Sequence, residues 1–193
     1  MVRLILASAS PRRSELLAQL GLAFTVVPAD LDETPRHNES PRSYVERLAR
    51  EKALAVGNTS PGDLALAADT SVVVDGVILG KPGDDAKAGA AMLKRLSGKS
   101  HLVMTGIALA KAGEVRSRVV ETEVRFRALT DAEIEWYVST GEGHDKAGGY
   151  ASQARAGAFI TSLNGSSTSV IGLPLAETIE LLQAAGFRLP WDA

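Results

Sequence analysis

The run Val72-Val-Val-Asp75-Gly76-Val77-Ile-Leu79 restricts the folds open to this chain more than any other stretch. Two apolar, β-branched segments separated only by Asp-Gly form a hairpin, because a type I′ turn needs positive φ at both central residues and Asp-Gly tolerates that. An antiparallel pair is thereby fixed mid-chain. Upstream, Leu64 to Ala68 is an apolar strand that runs into Asp69-Thr70. At the N-terminus, Val2 to Ala7 reads as a buried strand that passes into a helix over Pro11 to Leu20. There Ser10 suits the N-cap, Pro11 the first turn and Gly21 the position just past the end.

The remaining segments alternate in the same way. Phe24 to Pro28 is a short strand and Ala29 to Ser40 an acidic loop. A second Ser-Pro pair, Ser40-Pro41, opens a helix that reaches Gly57, followed by a turn-rich stretch over Asn58 to Asp63. Asp84 to Leu96 is a helix, and Leu102 to Ala110 and Val115 to Phe126 are strands joined near Ala112-Gly113. Thr130-x-x-Glu133 is a capping box for a helix ending near Gly141, and Glu142 to Gln153 is glycine-rich and charged. Ala158 to Leu163 and Ser169 to Ile171 are expected to pair about Asn164-Gly165, and Pro174 to Ala185 is a last helix. Hairpins supply antiparallel pairs and helices supply crossovers. The expectation is one α/β domain over residues 1–193 with a mixed sheet.

Composition narrows the function. The chain has no cysteine, which excludes disulfides, thiolate metal sites and a cysteine nucleophile. His37, His101 and His144 are widely spaced and form no HExxH pattern, so a histidine zinc site is not expected. A net charge of −2 gives no sign of a basic face for nucleic acid. No apolar stretch approaches the length of a membrane span or of a signal peptide's core, which predicts a cytoplasmic protein with no membrane partner.

Candidate chemistry gathers at few places. The junction Ser8-Ala-Ser10-Pro11-Arg12-Arg13 joins a helix N-terminus to two guanidiniums and two hydroxyls. It reads either as a polyphosphate site or as a capped helix with two solvated arginines. Asp69, directly after an apolar strand, should sit partly desolvated at the mouth of the sheet. There it serves as a metal ligand or general base, or else caps the turn before Val72. Lys52 near an apolar helix face, Lys81 on the Gly80-Lys81-Pro82 turn and Glu33 in the acidic loop are each weak signals alone. Gly98-Lys99-Ser100 is no P-loop, since position 93 is Leu, and Gly141-Glu-Gly143 lacks the third glycine of a dinucleotide fingerprint.

Taken together, LASASPRR (6–13), DETP (32–35), RLAREKA (47–53), AADT (67–70), GKP (80–82), LSGKSH (96–101), MTG (104–106), DKAGGY (145–150), NGS (164–166) and VIGLPL (170–175) resemble the Maf family of nucleoside triphosphate pyrophosphatases. The resemblance implies an elongated α/β domain similar to inosine triphosphate pyrophosphatases, with a central mixed sheet flanked by helices and a deep cleft. It implies hydrolysis of a nucleoside triphosphate to the monophosphate and pyrophosphate, with Mg²⁺ or Mn²⁺ as cofactor. It places the catalytic base at Asp69, substrate contacts at Ser8, Arg12, Arg13, Glu33, Lys52 and Lys81, and metal ligands at Asp69 and Glu33. A homodimer and a regulatory role in septum formation also come with the family.

Branches of the family differ at three places. The branch acting on dTTP and UTP carries Arg, Thr and Gln where this chain has Arg12, Thr70 and Gln153, whereas the 7-methyl-GTP branch tends to Trp, Gln and Glu. Specificity is therefore expected at those three residues and for pyrimidines. One departure stands out: Gln153 is followed by Ala154-Arg155 where the family usually has Gly.

Overall fold

A first strand buried along its whole length, β1 (Leu4–Leu6), lies between two parallel partners in the computed structural model, which describes residues 2–192. Leu4 faces Phe24 of β2 (Phe24–Val26) on one side and Leu64 of β3 (Leu64–Val74) on the other. Such a doubly paired strand is apolar throughout, which is why LIL shows no alternation. β4 (Val77–Leu79) returns antiparallel on β3 with Val74 opposite Val77, and Asp75 and Gly76 have φ of 51° and 74°. The type I′ turn forms as expected. With β5 (Ser100–Lys111), β6 (Glu114–Phe126) and β7 (Ile160–Asn164), the strands make one seven-stranded mixed sheet in the order β2-β1-β3-β5-β6-β7, with β4 on β3.

The helices are α1 (Pro11–Gln19), α2 (Pro41–Thr59), α3 (Ala86–Leu96), α4 (Asp131–Ser139), α5 (Ser167–Ile171) and α6 (Leu175–Ala184). The capping box at Thr130 and Glu133 closes in both directions. Three expectations are corrected. The strand ending in Ala68 continues through Asp69 and Thr70 to Val74, so Asp69 is mid-strand and not at a strand end. Ser10 occupies the N-cap of α1, but its side chain makes no cap bond. Ser169–Ile171 is helical, not a strand. Ser166 Oγ accepts from the Ser169 N–H at 3.1 Å and starts the turn of α5, while β7 pairs instead with β6, Leu163 opposite Val124.

The chain divides into two compact units. One holds the residues up to Asp69, Thr105–Val120 and those from Gly172 on; the other holds Thr70–Met104 and Glu121–Ile171. In the first, the core is built from small side chains: Ala49, Ala53, Ala65, Ala67, Ala108 and Ala110 pack with Ile5 and Val56. A Cβ on Gly106 would lie 2.3 Å from the Val45 carbonyl oxygen. No side chain fits there, and α2 lies against β5 at backbone distance.

In the second unit, Phe126, Tyr137, Tyr150 and Phe159 pack edge to face, with ring centres 4.9 Å apart for Phe126 and Tyr150. His101 is buried among them, its Nε2 2.7 Å from the Tyr150 hydroxyl and its Nδ1 without a hydrogen-bond partner. A charged ring would need an acceptor at both nitrogens, and burial pushes its pKa down to about 4. The unfolded chain takes up that proton near the ordinary histidine value of about 6.5, so between these limits the unfolded state binds more protons. Stability therefore rises with pH across this window and is lost as the pH drops toward 4, by about 3 kcal/mol in full. His101→Gln is expected to remove this component: the stability gap between natural chain and variant, measured by urea unfolding, shrinks by about 2–3 kcal/mol between about pH 7.5 and about pH 4.

Candidate active site

The turn from β1 into α1 is organised around Ser8, which is buried. Its hydroxyl oxygen accepts from the Ser10 N–H at 3.2 Å and from Arg13 Nη1 at 3.1 Å. Arg13 Nε donates to the Gly172 carbonyl at 2.8 Å, so two bonds from one guanidinium lock its direction. No acidic residue sits in the first turn of α1 to neutralise the helix N-terminus. Burial holds the Arg13 pKa below the ordinary arginine value, opposed by Asp69 and worsened by the like charge of Arg12. A fixed, desolvated guanidinium with a second one nearby has the charge and the planar donor fork that suit phosphate oxygens.

The acids meet on a lysine. Lys52 lies within the buried stripe Val45, Leu48, Ala49, Lys52, Ala53, Val56 of α2, and the close approach at Gly106 carries it into the interior. Only 7% of Lys52 is exposed, and its Nζ is 2.8 Å from Asp69 Oδ1 and 2.5 Å from Glu33 Oε1. The solvated-lysine alternative is excluded. Asp69, 8% exposed, has its pKa raised by burial, against the pull of Lys52 and Arg13 and with the push of Glu33. A carboxylate whose proton affinity is raised is a better base than a solvated aspartate.

The same pair fits a hard divalent ion. Carboxylates from a strand and a loop converge on one cation, and oxygen pairs of this kind are what Mg²⁺ or Mn²⁺ takes from a protein. No group of three or more His, Asp or Glu suited to a metal occurs among the described residues. Two carboxylates suffice where waters and phosphates complete the shell, which is the usual Mg²⁺ arrangement.

Tyr44 and Arg47 were not expected near this site. The Tyr44 hydroxyl donates to the Glu33 carbonyl at 2.8 Å, and its pKa is pushed up to about 12 by burial and by Asp69 and Glu33. Their spacing of three along one face of α2 was the available signal, but it reads as ordinary helix surface.

Ser8, Arg12, Arg13, Glu33, Lys52 and Asp69 thus belong to the first unit, whereas Lys81, Thr70 and Gln153 belong to the second. Lys81 is exposed on a turn held at both sides, by Gly148 N–H to the Gly80 carbonyl and Gly83 N–H to the His144 carbonyl, each 3.0 Å. Gly148, with φ of 70°, has no room for a Cβ against Val72, which fixes how this glycine-rich block packs. Gln153 is exposed in a turn after Ala151. The departing Arg155 is tied by Nη1 to Glu142 Oε2 at 2.9 Å; Glu142 also accepts from the Tyr137 hydroxyl, which accepts from the Ala151 N–H. Arg155 thereby joins the network that anchors the Gln153 turn.

Residues 3–185 match the family model described as "Maf-like protein". A protein of Anaeromyxobacter dehalogenans named dTTP/UTP pyrophosphatase is 56% identical over 98% of this chain and 97% of its own length. One of the same name from Myxococcus xanthus is 54% identical over 98% of this chain and 96% of its own. Among solved structures, the Staphylococcus aureus Ham1 protein superposes with a TM-score of 0.52 at 14% identity, covering 95% of this chain and 97% of that one, a likeness of fold.

Proposed function

Because the chain belongs to the Maf family, matched over residues 3–185 and at 56% identity to a curated relative, we propose that it hydrolyses dTTP and UTP to the monophosphate and pyrophosphate in the cytoplasmic nucleotide pool. The observation that carries the mechanism is the buried Lys52 ammonium shared by Asp69 and Glu33, beside an arginine locked at the β1–α1 turn. Asp69 accepts the proton of the attacking water, whose oxygen bonds to one phosphorus of the α,β-anhydride; the bridging P–O bond breaks and its electron pair leaves with the other half, so that the products are the monophosphate and pyrophosphate. Arg13 and Lys52 offset the charge that builds on the phosphoryl oxygens, and Arg12 adds a cation for the remainder of the polyphosphate. Glu33 and Asp69 would hold a divalent ion, which supplies Lewis-acid stabilisation of phosphate charge when bound. Thr70 and Gln153 carry hydroxyl and amide groups that match a pyrimidine's carbonyls and N3–H. No helix among the described residues is long and apolar enough to cross a membrane.

A panel of standard and modified triphosphates with Mg²⁺ or Mn²⁺, followed by pyrophosphate release, tests this reading. Preference for 7-methyl-GTP over dTTP and UTP overturns the substrate assignment, and orthophosphate as product overturns the reaction. The two arginines should separate in the same assay. Arg13, bonded to Ser8 and Gly172, serves every triphosphate, so Arg13→Ala lowers kcat/KM for all of them by about 10²-fold. Arg12→Ala instead changes their ranking.

A further inference from the structure

Glu33 lies on a stretch that is neither helix nor strand, from Val27 to Ser40, and its side chain is about half exposed, 47%. Left to itself such a carboxylate would sample many positions, and ordering it costs conformational entropy. Something must hold it against Lys52.

Two residues of α2 grip the chain at this point. The Tyr44 hydroxyl donates to the carbonyl of Glu33 at 2.8 Å, and Arg47 Nη2 donates to the carbonyl of Thr34 at 3.2 Å. The anchors thus fall on consecutive carbonyls, at the acid and at the residue after it. Arg47 is itself fixed. Its Nε and Nη2 fork onto Glu39 at 2.6 and 2.7 Å, its Nη1 reaches Glu51 at 3.1 Å, and its guanidinium lies 5.6 Å from the centre of the Tyr44 ring. The Arg47 and Glu39 side chains are 12% and 8% exposed, and the pairing holds the Glu39 carboxyl down to about 2. Arg36 Nη2 ties the far part of the loop to Glu51 at 2.8 Å, and Thr34 closes a local turn on Asp32. A bidentate, enclosed pair of this kind is rigid where a solvated surface pair is not.

We propose that Tyr44 and Arg47 are positioning residues for the hydrolysis, acting through the backbone of residues 33–34 to keep the Glu33 carboxylate at Lys52 and Asp69. The inference rests on Glu33 belonging to the active site and adds what places it there. If the clamp served the fold alone, its loss would lower stability and leave turnover per folded molecule unchanged. A clamp on Glu33 instead changes kcat, because small displacements of a site group are costly in rate.

The experiment is a double-mutant cycle on the full chain with dTTP. Tyr44→Phe keeps the ring beneath Arg47 and removes only the donor. It is expected to lower kcat about tenfold with KM unchanged, and to lower it no further in a Glu33→Gln background. Arg47→Lys, which keeps the charge but loses the fork, should behave alike. Wild-type kcat in Tyr44→Phe where Glu33→Gln is impaired overturns the inference while leaving the active-site reading intact. Full additivity of the two substitutions overturns it as well, since Tyr44 would then act by a route other than Glu33. A silent Glu33→Gln overturns the place of Glu33 in the site, and this inference with it.

Discussion

Asp69→Asn is expected to reduce pyrophosphate release by about 10³-fold while the protein stays folded. The asparagine is nearly isosteric and keeps an oxygen that can accept from Lys52 Nζ, now 2.8 Å from Oδ1. What it loses is the lone pair that takes the proton of the attacking water. Burial is the largest influence on this carboxyl and disfavours its charge, so a neutral amide is relieved of that penalty. Lys52 retains Glu33 as its counter-ion. Stability should therefore change by only about 1 kcal/mol. The measurement pairs turnover of dTTP with a melting curve. Wild-type turnover would remove Asp69 from the chemistry and leave the proton of the attacking water to another group.

Local chemistry was legible in the sequence wherever the signal was itself local. The Asp75-Gly76 turn has both residues at positive φ, and the Thr130–Glu133 box closes reciprocally, because each is decided within four residues. Asn164-Gly165 misled for the same reason in reverse. The dipeptide suits a hairpin, but the partner of β7 is β6, some forty residues away, and Ser166 diverts the following segment into a helix. In the sequence, Asp69 reads as a strand end because it follows five apolar residues, Leu64 to Ala68. Here Lys52 supplies the partner that lets the strand continue through it. The depth of Lys52 itself depends on Gly106 and a face of alanines contributed by β3 and β5, information that no window around residue 52 contains. The loop acid Glu33 entered by resemblance alone. The reason it is held in place lies in α2, at Tyr44 and Arg47.

Lys52→Met should be damaging in two separable ways. The thioether chain fills the stem of the lysine, so packing against the alanine face survives. The ammonium does not, and Asp69 is left buried without its donor and with Glu33 as a like charge. Breaking a buried pair from one side costs about 3–5 kcal/mol. The lower end is expected here, because the half-exposed Glu33 side chain can turn to water and Arg13 still attracts Asp69. Activity should fall by about 10²-fold or more, since a fixed cation at the phosphates is lost. Adding Asp69→Asn to Lys52→Met separates the two effects. The second substitution neutralises the stranded carboxylate, so the double variant should recover most of the lost stability in urea unfolding, yet remain inactive. Recovery without activity would show that the lysine is needed in the fold chiefly to make a buried carboxylate tolerable, and that the carboxylate is there for the reaction. A double variant as unstable as Lys52→Met alone would place the cost of the lysine's loss elsewhere than in its pairing with Asp69.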